Sequence, residues 1–150
     1  MRRAAFFDRD GTINVEVGYL HRIEDLQFIP DTVKLIKMYN EQGWPVVVVS
    51  NQSGIARGMF TTEDVDRLHD HMNKRLGLEY GAHIDAFYYC PHLPEITGQC
   101  ECRKPKPGMF LQAAADLNLD LANSVSYGDS ERDELASRAA KIGKFYYVCR

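Results

Sequence analysis

What this chain of 150 residues lacks narrows it first. No apolar run approaches the roughly 20 residues that a membrane span needs, and the first residues lack the apolar stretch of a secretory signal. The expectation is a soluble, cytoplasmic protein with no membrane partner. Neither sign of charge dominates: 18 basic residues face 21 acidic ones, for a net charge of −3. That withholds the broad basic footprint of a nucleic-acid binder, so no nucleic-acid partner is expected. Cysteine is scarce, with four residues in all, and in a reducing compartment those thiols do not pair into disulfides. No internal repeat, low-complexity tract or linker interrupts the sequence. A chain of this length makes one domain over residues 1–150, able to bury roughly 68–70% of its unfolded surface. A monomer is expected.

What is present alternates between two periodicities. Residues 4–7, 46–49, 84–89, 125–127 and 145–148 are short and rich in β-branched or aromatic side chains, as strands are. A first helix is expected after Pro30, with Asp31 as N-cap, Val33, Ile36 and Met38 inward, and a stop at Gly43. A second starts at Thr61 or Thr62, lines up Val65, Leu68, Met72 and Leu76 on one face, and stops at Gly77. A third follows Pro107 and Gly108 through Phe110, Ala113, Ala114 and Leu117, and a fourth spans about residues 131–142 up to Gly143. Such alternation implies an α/β fold, a parallel sheet with helices on both faces. Ligands then bind beyond the carboxyl ends of the strands, where the strand order reverses.

Two local patterns carry chemistry. Asp8-Arg9-Asp10-Gly11-Thr12 directly follows the apolar run Ala4-Ala5-Phe6-Phe7. Residues i and i+2 of a strand point to one side, so Asp8 and Asp10 can face one reaction centre. One suits a nucleophile and the other a proton donor and base, with a hard divalent cation between them. Alone, the same residues also read as an acidic turn at a strand end. The second pattern is Cys90-Pro91-His92 followed by Cys100-Glu101-Cys102. Three thiolates and an imidazole within thirteen positions match a closed tetrahedral zinc site, structural because no position is left open. Residues 93–99 between them read as a loop that the metal would fold. His21, His69, His71 and His83 match no motif and are expected at the surface. Cys149 reads as a small buried apolar residue.

Four segments, taken together, resemble the haloacid dehalogenase (HAD) superfamily of phosphatases. These are Asp8-Arg9-Asp10-Gly11-Thr12, Val46-Val47-Val48-Val49-Ser50-Asn51, Arg103-Lys104-Pro105 and Gly128-Asp129-Ser130-Glu131-Arg132-Asp133, in that family's order. The resemblance implies a Rossmann-like HAD fold: a five-stranded parallel sheet of order 5-4-1-2-3, no large cap domain, and here a zinc-binding loop. Asp8-Arg9-Asp10-Gly11-Thr12-Ile13-Asn14, Gly18-Tyr19-Leu20-His21, Ser50-Asn51-Gln52-Ser53-Gly54-Ile55-Ala56-Arg57-Gly58 and the cysteine loop narrow it further. They look like the subgroup that holds the histidinol-phosphate and heptose-bisphosphate phosphatases. The loop between His92 and Cys100 is shorter than is usual there, and many relatives run on past the position of Arg150.

The resemblance implies a sugar phosphatase with Asp8 as nucleophile and Asp10 as general acid and base. Ser50 and Lys104 stabilise the transferring phosphoryl group. Mg²⁺ is held by the Asp8 carboxylate, the Asp10 backbone carbonyl and Asp129, with Ser130 as a further candidate. Asp133, four residues beyond Asp129, reaches the site through water or supports Lys104, and Asp129 also reads as a helix N-cap. Zn²⁺ is held by Cys90, His92, Cys100 and Cys102. Glu16, Val17, Gly18, Tyr19, Ser50, Asn51, Gln52, Ser53, Arg103 and Lys104 are the candidate substrate contacts. The expected substrate is a small phosphorylated sugar, a heptose 1,7-bisphosphate on the route to nucleotide-activated heptose for surface glycans. Histidinol phosphate is the alternative within the subgroup. A zinc-loop binding module without catalysis is the alternative of another class, and it leaves Asp8, Asp10 and Asp129 without a task.

Overall fold

A computed structural model describes residues 1–148; Cys149, expected to be buried, lies outside them. Five strands, β1 (Ala5–Phe7), β2 (Val46–Asn51), β3 (Ala86–Cys90), β4 (Val125–Gly128) and β5 (Lys144–Tyr147), form one parallel sheet. Their order is β3-β2-β1-β4-β5, the order 5-4-1-2-3 viewed from the other edge. The chain leaves β1 for β2 on one side and returns to β4 on the other, so the order reverses at the carboxyl end of β1. That is where parallel α/β sheets open a crevice.

Alternation along the central strands divides the core in two. Ala5, Phe7, Val46 and Val48 pack with Val33, Ile36, Leu68, Met72 and Leu76 on one face. Ala4, Phe6, Val47 and Val49 pack with Met109, Phe110, Ala113 and Ala136 on the other. The helices α1 (Pro30–Glu41) and α2 (Thr62–Tyr80) therefore cover one face. The opposite face is covered by α4 (Gly108–Leu117) and α5 (Glu131–Ala139).

Several helix ends differ from the sequence expectation. In α1 the N-cap position is Ile29, Pro30 occupies the first helical position, and Asp31 makes no side-chain cap; proline needs no N–H there. Met38 is 39% exposed rather than inward, because Tyr39 takes the buried position beside it. Thr61 caps α2 through a reciprocal pair with Asp64. The helix does not stop at Gly77 but runs to Tyr80, ended by Gly81 at φ +64°. The Ala82 N–H then bonds back to the Leu76 carbonyl, and this left-handed stop outcompetes the modest cost of an interior glycine. Similarly α5 ends at Ala139, short of Ile142, where Lys141 adopts φ +61°. The cysteine loop, expected to be irregular without metal, contains the one-turn helix α3 (Pro94–Thr97). There the Leu93 N–H donates to Thr97 Oγ1, which in turn donates to the Leu93 carbonyl. Among the described residues no helix is long and apolar enough to cross a membrane.

Candidate active site

A cavity of about 340 Å³ opens at the carboxyl end of the sheet. Asp8, Asp10, Glu16, Gly18, Tyr19, Ser50, Asn51, Gln52, Ser53, Arg103 and Lys104 line it, joined by Arg57 and Arg132. Apart from Val17, which is 49% exposed and absent from the lining, the candidate substrate contacts converge there. Arg57 lies in a stretch already matched to the family and Arg132 in the fourth motif, yet nothing in either spacing marks them as facing the site. Four cations thus surround three acids, a balance suited to an anionic ligand.

Lys104 organises one half of the site. Only 3% exposed, its Nζ donates to Asp8 Oδ1 at 2.9 Å, Asp133 Oδ1 at 2.7 Å and the Val49 carbonyl at 2.9 Å. Asn51 holds the lysine backbone from both sides: its Oδ1 accepts from the Lys104 N–H, and its Nδ2 donates to the Lys104 carbonyl. Burial pushes the Asp8 carboxyl up to about 7, against the pull of Lys104. Burial also opposes the charge on Lys104, but Asp8 and Asp133 outweigh it and raise the ammonium above its ordinary value.

Asp133 supports Lys104, as one of the two expectations for it had it. Its other oxygen, Oδ2, accepts from Ser130 Oγ at 2.9 Å and from the backbone N–H groups of Asp129 and Ser130 at 3.2 Å. Ser130, not Asp129, is the N-cap of α5. The turn is tight because residue 128 is glycine: a Cβ there would stand 2.5 Å from Asp133 Cβ. Ser50 lies inside β2 rather than in the turn after it, with its hydroxyl accepting from Gln52 Nε2 at 2.7 Å.

The other half is built around Asp10 and Arg9. Arg9 Nε and Nη2 donate to the two Asp10 carboxylate oxygens at 3.0 and 3.1 Å. Asn14 Nδ2 adds a bond to Oδ1 at 3.0 Å, and Gln52 Nε2 one to Oδ2 at 3.1 Å. Burial alone would raise the Asp10 carboxyl; the Arg9 charge and these hydrogen bonds overcome it and hold it below the ordinary carboxylate range. His69, expected at the surface, is buried against this arginine. Burial, and then the Arg9 charge, press its imidazole down to about 3.

Two sets of side chains have donor atoms arranged for metals. One atom each from Asp8, Asp129 and Asp133 lies within 4.8 Å of the others, an all-oxygen set that fits Mg²⁺. Asp133 engages both of its oxygens, Oδ1 with Lys104 and Oδ2 with Ser130, and Asp8 gives Oδ1 to Lys104. Ser130 directs its hydroxyl to Asp133. In the second set Cys90, His92, Cys100 and Cys102 converge, His92 through Nδ1. Five of their separations can be compared with a metal-centred tetrahedron. Those of 3.3, 3.5, 3.6 and 3.7 Å approach the edge of a tetrahedron with metal–sulfur bonds of about 2.3 Å. The Cys90–Cys102 distance of 2.7 Å is shorter. The donor chemistry and shape fit Zn²⁺.

The comparisons with known proteins agree with this geometry. The family model described as polynucleotide kinase 3 phosphatase matches residues 3–141. The D-glycero-beta-D-manno-heptose-1,7-bisphosphate 7-phosphatase of Haemophilus ducreyi is 46% identical over 145 residues, covering 94% of this chain and 80% of that protein. The Yersinia pestis protein of the same name is 47% identical over 145 residues, covering 93% and 77%. Among solved structures, a D,D-heptose 1,7-bisphosphate phosphatase from B. bronchiseptica, complexed with magnesium and phosphate, superimposes with a TM-score of 0.85. Its identity is 34%, over 96% of this chain and 79% of that one. A HAD-like phosphatase from Mesorhizobium loti gives a TM-score of 0.89 at 36% identity, over 94% and 69%. The chain therefore belongs to the polynucleotide kinase 3 phosphatase family, among the HAD-superfamily heptose-bisphosphate phosphatases, and is a phosphoric monoester hydrolase.

Proposed function

We propose that this enzyme removes the 7-phosphate of D-glycero-β-D-manno-heptose 1,7-bisphosphate through an aspartyl phosphate on Asp8. The observation that carries the mechanism is the 2.9 Å contact between Lys104 Nζ and Asp8 Oδ1 at the floor of a cavity rich in cations. The heptose phosphatases at 46 and 47% identity support the choice of substrate.

In the first half-reaction the Asp8 carboxylate attacks phosphorus. The bond from phosphorus to the sugar oxygen breaks, and that oxygen receives a proton from Asp10, which takes it up from solvent as the negative charge of the incoming phosphate raises the pKa of the carboxyl. In the second, Asp10 takes a proton from water as the water attacks phosphorus, and the Asp8 carboxylate is released with phosphate. Ser50 and Lys104 donate to the transferring oxygens, since positioning and charge neutralisation are most of what phosphoryl transfer requires. Asp8, Asp129 and the Asp10 carbonyl would hold Mg²⁺. When bound, Mg²⁺ supplies positive charge that offsets the repulsion between carboxylate and phosphate. Asp8, pushed up to about 7 without it, would then be ionised and ready to attack.

Zn²⁺ on Cys90, His92, Cys100 and Cys102 would be structural, fixing the backbone that runs directly into Arg103 and Lys104. Arg103 is the residue for the distant phosphate, because its planar fork suits a bidentate anion. Phosphate release should be compared on the heptose 1,7-bisphosphate, on histidinol phosphate and on a 3′-phosphorylated oligonucleotide. The highest kcat/KM is expected on the heptose; a preference for either of the others would replace the proposed substrate.

A further inference from the structure

Arg9 stands between the two acids and is 0% exposed, the bulkiest of the fully buried side chains among the described residues. A buried guanidinium is expensive unless its N–H groups find acceptors. These acceptors come from four directions. Asp10 takes Nε and Nη2, the Leu20 carbonyl takes Nη2 at 3.0 Å, Gln52 Oε1 takes it at 3.2 Å, and His69 Nε2 faces Nη1 at 3.2 Å. An imidazole nitrogen that accepts from a guanidinium carries a lone pair, so His69 is neutral with its proton on Nδ1. The ring is clamped as well: it stacks on Phe87 with centroids 4.1 Å apart and meets Tyr89 edge-on at 5.7 Å.

We propose that Arg9, braced by His69, is a positioning residue for Asp10, fixing the carboxylate that protonates the leaving oxygen and later deprotonates water. The inference rests on the acid–base reading of Asp10 given above. A buried ion pair is weak as a source of stability, and apolar residues of similar volume often do as well. This one instead aims its fork at a single reactive carboxylate. Asn14 on one oxygen and Gln52 on the other bring the donors on Asp10 to four, which limits its rotation; one of the two amides gives way when the carboxyl takes up its proton, while Arg9 keeps it in place. Displacement of a reacting group by about 1 Å can cost on the order of 10²-fold in rate.

The test separates proton transfer from simple loss of structure. With enzyme in excess, release of the alcohol in a single turnover is measured for glycerol phosphate and for p-nitrophenyl phosphate. The first ester needs a proton on its departing oxygen; the second departs without one. Arg9→Lys keeps the charge but cannot span both Asp10 oxygens and His69. It should slow the alkyl ester by about 10²-fold or more and the aryl ester by less than about threefold. His69→Leu, which removes the acceptor, should shift the ratio of the two rates the same way, and His69→Gln, which keeps one, should restore it. Equal losses on both esters, with wild-type enzyme forming phosphoenzyme normally, would overturn the positioning role. If Arg9→Lys does not fold, the His69 pair decides by the same criterion. Wild-type protein that forms no phosphoenzyme on the heptose 1,7-bisphosphate would overturn the covalent mechanism and this inference with it.

Discussion

Two buried cations sit at the same end of the sheet and treat their acids in opposite ways. Lys104 serves two carboxylates, Asp8 and Asp133, with one ammonium. Arg9 serves one carboxylate, with Asn14 and Gln52 assisting. The count decides the outcome. On the lysine side negative charge is left over, and Asp8 is pushed up to about 7 by burial that Lys104 only partly offsets. On the arginine side the charge is matched, and Asp10 is held low despite burial. Asp129 is gathered with Asp8 and Asp133 on that side, one donor atom of each within 4.8 Å of the others, a set that could hold a divalent cation.

The contrast breaks most severely at Asp8. Asp8→Asn should fold, because it keeps the shape and an acceptor for Lys104. Its turnover should fall to about a thousandth of wild type or less, as a step that supplies several kcal/mol is removed. Mass spectrometry of acid-quenched protein should show no phosphoenzyme; substantial activity in this variant would rule out covalent transfer.

Lys104→Ala should come next. Loss of the donor should cost about 10²–10³-fold in kcat on every phosphate ester. It also strands Asp8 and Asp133 without their cation, so urea unfolding should show about 3–5 kcal/mol less stability. A normal unfolding midpoint would mean that the two acids do not depend on Lys104.

The zinc loop should affect the lysine side and leave the arginine side alone. Elemental analysis should find about one zinc per chain. Brief EDTA treatment should stop turnover, and Mg²⁺ should restore it, while tightly held zinc remains. Cys100→Ser should lower turnover by roughly tenfold by loosening Arg103 and Lys104, as losses in a supporting shell do. Zinc-free protein of full activity would make the cysteine cluster incidental.

On the arginine side the effect is on stability alone and concerns His69. Its pKa falls from 6.5 to about 3 on folding. Below pH 6.5 the unfolded chain binds a proton that the folded chain refuses, so this residue's contribution is complete above 6.5 and declines as the pH falls toward 3. Between pH 7 and pH 5 the difference amounts to about 2 kcal/mol. Relative to wild type, His69→Gln should recover about that much over the same interval in urea unfolding. A pH-independent difference between the two proteins would mean that His69 is not buried neutral.

Much of the fold is legible in the residue pattern, because strands and helices announce themselves by period. Their ends are less so. Gly77 reads as a stop, yet the helix passes it, since Leu76 is fully buried and Gly81 provides a better left-handed terminus. His69 reads as a surface residue although 65, 69, 72 and 76 share helical spacing; the apolar stripe through Leu68 masks its polar neighbour on the same face. Arg9 is illegible for a different reason. A position between two motif acids carries no periodic signal, and only the surrounding acceptors make a buried guanidinium tolerable.

The order of residues along the chain specifies which chemistry is on hand: two acids at a strand end, a cation after a cysteine loop, and a hydroxyl on a buried strand. Which charge meets which is settled only by folding. Lys104 reaches Asp8 across 96 residues and His69 reaches Arg9 across 60. Strand order and helix packing set those meetings, and electrostatic energy depends on distance and burial in space rather than on separation along the chain.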